Sequence, residues 1–290
     1  GEGQSGFNVR GGGADQNLIL LDEAPVYNAT HLLGFFSTFN SDAIKDATII
    51  KGNSGSQYGG RLSSVLDVKM KEGNNQDYTV NGGLGLISSK VSIEGPLQKN
   101  KSSFILSGRR TYADVFLKAT EKFKDNILYF YDLNAKANYQ INAKNKIYIS
   151  GYFGRDELGL GQDFGIDWGN KTGTIRWNKI ISNKLFLNTS FIYSDYNYNV
   201  KLKNGETNFN INSNIKDLNL KQDYTFYANG TNTLRFGFNS ILHTIKPSTF
   251  SGTVINSVSK TGRNGLENAL YLTNNYRANS QFTVDYGVRL

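Results

Sequence analysis

Two glycine clusters lie in the first thirteen residues, and Gly1, Gly3 and Gly6 of the first cluster have the G-x-G-x-x-G spacing of a nucleotide-binding loop. Such a loop binds pyrophosphate when a helix follows the glycines, because the helix N-terminus supplies the amides and the dipole. Three further glycines at 11–13 would break any helix in its first turns. We therefore interpret the glycines as residues that let a loop turn tightly, and we expect no phosphate site.

Other residues that could do chemistry lack suitable partners. The chain has no cysteine, and its two histidines, His31 and His243, have no metal-ligand spacing. Asp22 and Glu23 are adjacent, so on a strand they would point to opposite faces and could not share a substrate. The tripeptide at 163–165 matches a kinase motif, but no glycine-rich strand or catalytic loop accompanies it. The sequence therefore predicts no catalytic residue, no cofactor and no metal, and a protein that is not an enzyme.

Composition narrows the class of protein. The net charge of +8 comes from basic residues scattered singly, which is typical of a solvated surface and not of a nucleic-acid site. Aromatic residues make up 13% of the chain, which favours strands. No run of 18 apolar residues occurs, so we expect no transmembrane helix. The sequence starts without a methionine or a signal peptide, so we expect it to start within a longer protein.

From about residue 79 onwards, apolar and polar residues alternate in long segments. The clearest is 131–141, in which the residues on one side are Tyr131, Leu133, Ala135, Ala137, Tyr139 and Ile141, and those on the other are Asp132, Asn134, Lys136, Asn138 and Gln140. Segments 217–226, 234–243 and 282–289 repeat the pattern. A period of two residues indicates β-strands with one apolar face.

The connections between these strands also follow a pattern. Short polar turns are expected at 98–101, 142–145, 182–183, 228–232 and 278–280, and longer Gly- and Asn-rich loops at 118–126, 158–168, 203–207 and 248–267. Strict alternation of turns and loops puts tight turns at one rim of an antiparallel sheet and large loops at the other, which is typical of outer-membrane β-barrels. A β-propeller is the alternative, but its blade strands would be about half as long.

The barrel interpretation assigns the two faces of each strand. The apolar face should contact lipid and the polar face should line the lumen, because a Lys or Arg at the bilayer midplane costs about 2 to 4 kcal/mol. Four cations are therefore expected to point inward: Lys136, Arg176, Lys221 and Arg235. Arg109 and Arg110 are consecutive, so one of them must face outward near a headgroup interface. An aromatic girdle at that interface is a further expectation for Tyr193, Tyr196 and Tyr198, although strand packing explains them as well.

Residues 1–76 have a different character. We expect a continuous apolar strand at 17–21, a turn at 22–25, the start of a short helix at 40–44, a buried strand at 47–50 and another strand at 64–70. A mixed α/β unit of this size is too short to build an independent core. Something must enclose it.

Three segments together resemble the TonB-dependent outer-membrane receptors. They are FNVRGGGADQNLILLDEAPVY at 7–27, SDAIKDATIIKGNSGSQYGGRLSSVLDVKMK at 41–71 and VSIEGPLQKNKSSFILSG at 91–108, and long barrel strands follow. The resemblance covers all 290 residues. It implies an all-β transmembrane antiparallel barrel of about 22 strands whose lumen holds a small mixed α/β plug domain. About eleven strands are expected here, so the domains would be the latter part of a plug at 1–76 and the first half of a barrel at 77–290.

The resemblance also implies where the protein works and with which partners. The implied location is the bacterial outer membrane, in contact with its lipid, with energy from the TonB complex acting through a segment outside this sequence. The expected function is import of a scarce nutrient (a siderophore, a glycan or a peptide) by plug rearrangement, with a surface lipoprotein or other envelope subunits as further partners. The alternative is a structural barrel subunit of a larger assembly that transports nothing.

The same resemblance implies candidate site residues. Plug–barrel pairing with wall carboxylates is expected of Arg10, Lys51 and Arg61. Plug turns are expected at Gly11, Gly12, Gly13, Tyr58, Gly59 and Gly60. Residues expected to face a ligand are Asp15, Gln16, Asn53, Gln57, Gln162, Asp163 and Trp168.

Overall fold

The computed structural model describes residues 17–28, 30–32, 36–51, 58, 64–252 and 262–290. The first part of the chain forms short strands, and the rest forms long ones. The first six are β1 Asn17–Leu21, β2 Ala24–Pro25, β3 Thr30–His31, β4 Phe36–Ser37, β5 Ile44–Lys51 and β6 Ser64–Met70.

Four of these strands form a sheet that we call the inner sheet, in the order β2-β1-β6-β5. β1 pairs with β6 in parallel, and the other pairs are antiparallel. The apolar run of β1 fits a strand covered on both faces. Its Leu21 packs with Val26, Val68 and Met70, and Tyr152 of a later strand completes this core.

Two expectations for this region are wrong. Residues 40–44 do not start a helix, because the side-chain Oδ1 of Asn40 accepts the backbone N–H of Asp42 at 3.1 Å and turns the chain directly into β5. Asparagine side chains often compete with helix formation in this way. Residues 47–50 do form a strand, but it lies at the edge of the inner sheet, and Ile49 is 49% exposed.

Eleven long strands follow, and we call the sheet that they form the wall. They are β7 Thr79–Leu84, β8 Ser88–Gln98, β9 Ser102–Thr111, β10 Ile127–Asn142, β11 Asn145–Leu160, β12 Phe164–Ile180, β13 Leu185–Asn204, β14 Thr207–Tyr227, β15 Asn232–Gly252, β16 Arg263–Arg277 and β17 Thr283–Arg289. Every strand pairs antiparallel with the next along the chain. The predicted count of eleven is confirmed, and an uninterrupted sheet of this kind excludes propeller blades. Helix α1, Ala113–Lys118, lies between β9 and β10.

The face assignment on β10 is confirmed. Asp132 and Asn134 are buried on the face of the wall that is turned to the inner sheet, whereas Leu133 is 45% exposed on the opposite face. The wall therefore carries its polar side chains on the concave side that holds the inner sheet. Its apolar side chains lie on the outside, where hydrocarbon would contact them.

The turns and loops are only partly as expected. The five short turns are present, since β8–β9, β10–β11, β12–β13, β14–β15 and β16–β17 are joined by at most five residues. At the opposite rim, the predicted loop at 118–126 is present and begins at the last residue of α1. The predicted loop at 248–267 is shorter than expected, because β15 extends to Gly252 and β16 starts at Arg263. The expected loops at 158–168 and 203–207 are wrong, because β11 to β14 continue through them and leave turns of three and two residues. The strands stay paired up to these turns. The two glycines that suggested loops, Gly161 and Gly205, are turn residues with positive φ.

The expected aromatic girdle on β13 is also wrong in part. Tyr193 faces outward, but Tyr196 has the opposite parity, and its ring lies 5.9 Å from that of Tyr27 in the inner region. Arg109 faces inward and Arg110 outward, where Arg110 lies over the ring of Tyr129 at 5.6 Å. None of the helices in the described part of the chain has the length and apolar character to span a bilayer.

Candidate functional site

Side chains from the concave face of the wall meet the inner sheet in three polar groups. We call them the acidic turn (Asp22 and Glu23), the histidine seat (His31 with its partners) and the tyrosine chain (Tyr27 with its partners). All three are built by short segments around β1 to β3, which the wall strands β9 to β17 surround. These contacts are the candidate functional site because they hold the inner sheet inside the wall.

The acidic turn joins β1 to β2 in a two-residue hairpin, in which Leu21 pairs with Ala24. Both turn residues have positive φ, 44° for Asp22 and 70° for Glu23. Asn, Asp and Gly usually occupy such a turn, whereas Glu at a positive φ costs about 1 to 3 kcal/mol. Contacts to the wall explain how Glu23 is kept at this strained position.

Asp22 is buried and links the inner sheet to β10 and β12. Its carboxylate lies 3.1 Å from Nζ of Lys136 and accepts the backbone N–H of Met70, also at 3.1 Å. Its backbone carbonyl accepts the hydroxyl of Thr174 at 2.7 Å. Lys136 donates as well to the carbonyl of Met70 at 3.2 Å, so one wall cation is shared by two inner strands.

Glu23 reaches three wall strands. The hydroxyl of Ser190 donates to its carboxylate at 2.7 Å, and Nζ of Lys221 lies 3.5 Å away. A guanidinium nitrogen of Arg176 is 3.9 Å from the same carboxylate. The inward direction expected for Lys136, Arg176 and Lys221 is thus confirmed. Arg235 pairs across the sheet with Thr225, and it has the same parity as the inward residues of β15.

The histidine seat centres on His31, which is 3% exposed. Its Nδ1 contacts a carboxylate oxygen of Asp156, and its Nε2 lies 3.2 Å from Asp132. The other oxygen of Asp156 accepts the backbone N–H of Leu32 at 2.6 Å. The His31 ring stacks on Phe130 at 4.1 Å with an interplanar angle of 6°.

Charge in the histidine seat balances when His31 is protonated. Arg109 donates to Asp132 at 2.7 and 2.9 Å, so two carboxylates face one guanidinium and one imidazole. Burial lowers the pKa of His31, but hydrogen bonds and attraction from Asp132 and Asp156 outweigh it, and the pKa is raised above its ordinary value of 6.5. The wall carboxylates therefore favour the protonated form of His31 and bind it to the wall.

The tyrosine chain follows the strand end after β2. The backbone N–H and C=O of Tyr27 bind the side-chain amide of Asn170 at 3.0 and 2.6 Å, and the Tyr27 hydroxyl donates to Asp217 at 2.6 Å. Asp217 in turn lies 2.6 Å from Nδ1 of His243. Glu267 and Arg289 extend the chain, with the His243–Glu267 contact at 3.5 Å and the Glu267–Arg289 contact at 3.6 Å.

A cavity of about 240 Å³ lies beside the tyrosine chain, between the inner sheet and strands β13 to β17. Its apolar lining includes Leu18, Leu20 and Ile241, and its polar lining includes Lys221 and Tyr58. In the described part of the chain, no group of three or more His, Asp or Glu side chains is arranged to hold a metal ion.

Most residues singled out from the sequence lie outside the described part of the chain. These are Arg10, Gly11, Gly12, Gly13, Asp15, Gln16, Asn53, Gln57, Gly59, Gly60 and Arg61, and of Lys51 only the backbone is described, as the last residue of β5. Tyr58 lines the cavity, and Gln162 and Asp163 lie in the turn between β11 and β12. Trp168 lies on the inward face of β12 and is 3% exposed, so it contacts protein and not solvent.

Sequence reasoning missed the acidic turn and the histidine seat. It treated Asp22 and Glu23 as strand neighbours on opposite faces, whereas the tight turn points both carboxylates at the wall. The sequence predicted that basic plug residues would bind wall carboxylates, and His31 makes one such contact in the described part. The acidic turn has the opposite arrangement, because its carboxylates bind cations of the wall. The available signal was Asp132 on the predicted lumen face of β10, which required a cationic partner.

Comparison with known proteins agrees with this architecture. Residues 1–65 match the model of the TonB-dependent receptor plug domain. No curated protein sequence matches the chain significantly.

Several solved structures share the fold. A mutant of the ferric enterobactin receptor PfeA from Pseudomonas aeruginosa is 11% identical, with a TM-score of 0.70 over 96% of this chain and 49% of that one. The siderophore receptor PirA from Pseudomonas aeruginosa is 15% identical, with a TM-score of 0.68 over 98% and 49%. The alcaligin receptor FauA from Bordetella pertussis is 14% identical, with a TM-score of 0.69 over 98% and 47%.

The chain spans about half the length of the solved receptors that it matches. The match to the plug model covers the inner sheet up to the start of β6, and the fold shared with the solved receptors extends over the wall as well. The chain thus joins a first part that is similar to the TonB-dependent receptor plug domain to a wall that shares the fold of these solved receptors.

Proposed function

We propose that the protein is a TonB-dependent receptor of the bacterial outer membrane that imports a scarce nutrient through its lumen. The wall would span the membrane, and the inner sheet would be the plug that closes the lumen until the TonB complex acts on it. Transport requires no catalytic group, because the chemistry is binding followed by displacement.

One observation carries this proposal: the plug is held to the wall mainly by hydrogen bonds and ion pairs. Asp22, Glu23, Tyr27 and His31 each bind wall side chains, whereas the described apolar core takes only Tyr152 from the wall. Polar contacts of this kind exchange for water with a small net change in free energy, whereas a dry interface would have to expose apolar surface. A plug seated in this way can move and return.

A reversible crosslink tests the movement of the plug. The hydroxyl of Ser194 donates to the carbonyl of Pro25 at 2.7 Å, so Pro25→Cys and Ser194→Cys place two thiols across the interface. The chain has no other cysteine. We expect the oxidised double variant of the full-length receptor to lose uptake and to regain it on reduction, while either single variant stays active. Undiminished uptake with the crosslink closed contradicts the proposal.

The substrate class can be narrowed by the relatives. The solved receptors named above are described as receptors for ferric enterobactin, a siderophore and alcaligin. We therefore rank a siderophore ahead of a glycan or a peptide. The ligand-facing residues that we propose are Asp15, Gln16, Asn53, Gln57, Gln162 and Asp163. Trp168 is excluded because its side chain is buried.

Uptake assays with cells that express the full-length receptor distinguish these substrates. We expect growth on ferric siderophores under iron limitation, and we expect it to vanish when TonB is deleted. Growth that needs the receptor but not TonB, or no uptake of any of the three classes, favours the structural barrel subunit instead. A bound surface lipoprotein would point to a large substrate.

We also propose the domain boundary at residues 76 and 77, with the plug at 1–76 and the barrel from 77 onwards. The inner sheet ends at Met70 and the wall begins at Thr79, which supports a boundary in the connection. Pairing of Arg10, Lys51 and Arg61 with carboxylates of the wall remains part of the proposal.

A further inference from the structure

Charged residues occupy the outward face of the wall beyond the end of its apolar belt. On β11 the outward residues Ile147, Ile149 and Phe153 are apolar, and the next outward position is Arg155. The direction follows from parity, because the intervening residues Tyr152 and Asp156 point inward and contact His31. The change from apolar to cationic therefore occurs within one pleat of the strand.

Neighbouring strands place further charges beside Arg155. Phe153, Lys171, Asp195 and Lys216 are successive register partners across β11 to β14. Lys246 follows on β15, opposite Asn214. Each strand also has an inward residue that fixes its parity, such as Thr174 on β12 or Ser194 on β13. The charged residues thus form one row on the outside of the barrel.

The row encloses a depression of about 290 Å³. Its lining includes four cationic side chains, one carboxylate and three asparagines, so its formal charge is +3. Gly169 lies in the floor, where a Cβ would come within 2.6 Å of the carbonyl of Gly154. The absence of a side chain at this outward position keeps the depression open.

Two of the four cations have no anionic partner among the residues that the structure describes. Arg155 lies 2.8 Å from Asp167, and Lys216 lies 3.8 Å from Asp195. Within the described residues, no carboxylate lies within ion-pair distance of Lys171 or Lys246, and both side chains are exposed. Lys171 lies 5.7 Å from the ring of Phe153, which holds its ammonium over the edge of the apolar belt.

We propose that this depression binds the phosphate groups of a phosphorylated glycolipid in the outer leaflet of the membrane. The inference rests on the proposed location in the outer membrane. Ammonium groups attract phosphate as point charges, and the side-chain amide of Asn197 beside them can donate a further hydrogen bond. Each Lys or Arg near an anionic lipid surface contributes appreciably to attraction within a Debye length.

The height of the depression selects a lipid over a soluble anion. Tyr131 and Phe153, whose rings lie 5.7 Å apart, mark the end of the apolar belt next to the depression. Aromatic residues concentrate at the headgroup level of barrels. An acyl chain that contacts the belt would therefore carry its headgroup phosphate to the level of Lys171 and Lys246.

Lipid binding to the full-length receptor in mild detergent tests the site, with lipid A that carries two phosphates as the probe. The variant combines Lys171→Gln with Lys246→Gln. The control is Lys179→Gln, because Lys179 faces outward on the same strand and lies 5.4 Å from the ring of Trp177, but at the opposite edge of the belt. We expect the double variant to bind lipid A about tenfold more weakly or worse, and the control to bind as the parent does.

Other arms of the experiment separate the possible sources of phosphate. Dephosphorylated lipid A should bind weakly to parent and variant alike, and millimolar inorganic phosphate should not displace the intact lipid. Equal affinity of parent and double variant, an equal loss in the control, or displacement by inorganic phosphate would overturn the proposal. Uptake is measured on the same variants. If the double variant loses lipid binding and keeps uptake, the lipid site is supported independently of transport. If the parent binds lipid A as expected but its uptake does not depend on TonB, the proposed function is contradicted and the lipid site is not.

Discussion

His31 is a buried imidazole whose charge decides whether the two aspartates around it are balanced. Burial lowers its pKa, but the hydrogen bonds that it donates to Asp132 and Asp156 and the attraction of their charges outweigh burial and raise the pKa. In the described part of the chain, Arg109 is the other charged group that contacts Asp132. A raised folded-state pKa means that the protonated form stabilises the seated plug fully below a pH of about 6.5, the unfolded value. That stabilisation is lost as the pH rises through the folded-state pKa.

We therefore expect the thermal stability of the plug in the full-length receptor to fall as the pH rises above about 6.5. His31→Gln should be less stable at low pH and should show a flatter profile. Melting of the plug followed by proteolysis at a series of pH values measures this. Parallel pH profiles for the two proteins would show that His31 does not carry the effect.

Asp22 and Lys136 form a buried pair in which each residue depends on the other. Their side chains are 6% and 4% exposed, so removal of one partner leaves a charge with little access to water. Lys136→Met should destabilise plug seating by about 3 to 5 kcal/mol. The double variant with Asp22→Asn should recover a large part of this loss. A double-mutant cycle on plug unfolding tests the coupling, and additive losses would contradict it.

The two faces of a wall strand should respond differently to the same charge. Ile149 lies on the outward face of β11 and is 55% exposed, within the apolar belt. Ile149→Arg should cost about 2 to 4 kcal/mol of folding free energy in a bilayer. Asn197→Arg, which is outward but beyond the belt, should cost about 0 to 1 kcal/mol. Folding of the full-length receptor into lipid vesicles measures both, and equal costs would contradict the assigned belt.

Strand faces could be predicted from the sequence because they depend only on local alternation. The polar and apolar residues of 131–141 separate without an exception, and the wall follows that separation. The extent of β11 to β14 could not be predicted, because glycines near 161 and 205 suggest a loop whether the turn has three residues or ten. The partners of Asp22 and His31 are more than 100 residues away, at Lys136, Asp132 and Asp156, and no local pattern encodes such a pairing.

The whole molecule joins two structures that are stabilised in different ways. The backbone hydrogen bonds between wall strands lie where hydrocarbon would cover the sheet. If such a bond breaks there, no water is present to bind the freed N–H and C=O groups. The plug is seated by side-chain contacts in a polar lumen, which water can replace. The plug should therefore open at a lower free energy than the wall.

Hydrogen exchange of the full-length receptor in urea tests this difference. We expect peptides from β1 and β6 to exchange at urea concentrations that leave β10 to β13 protected, because the ladder between β1 and β6 has only five register pairs, whereas that between β12 and β13 has seventeen. Lys136→Met should lower the urea concentration for the plug peptides and leave the wall peptides unchanged. Simultaneous exchange of both sets would mean that plug and wall unfold as one cooperative unit.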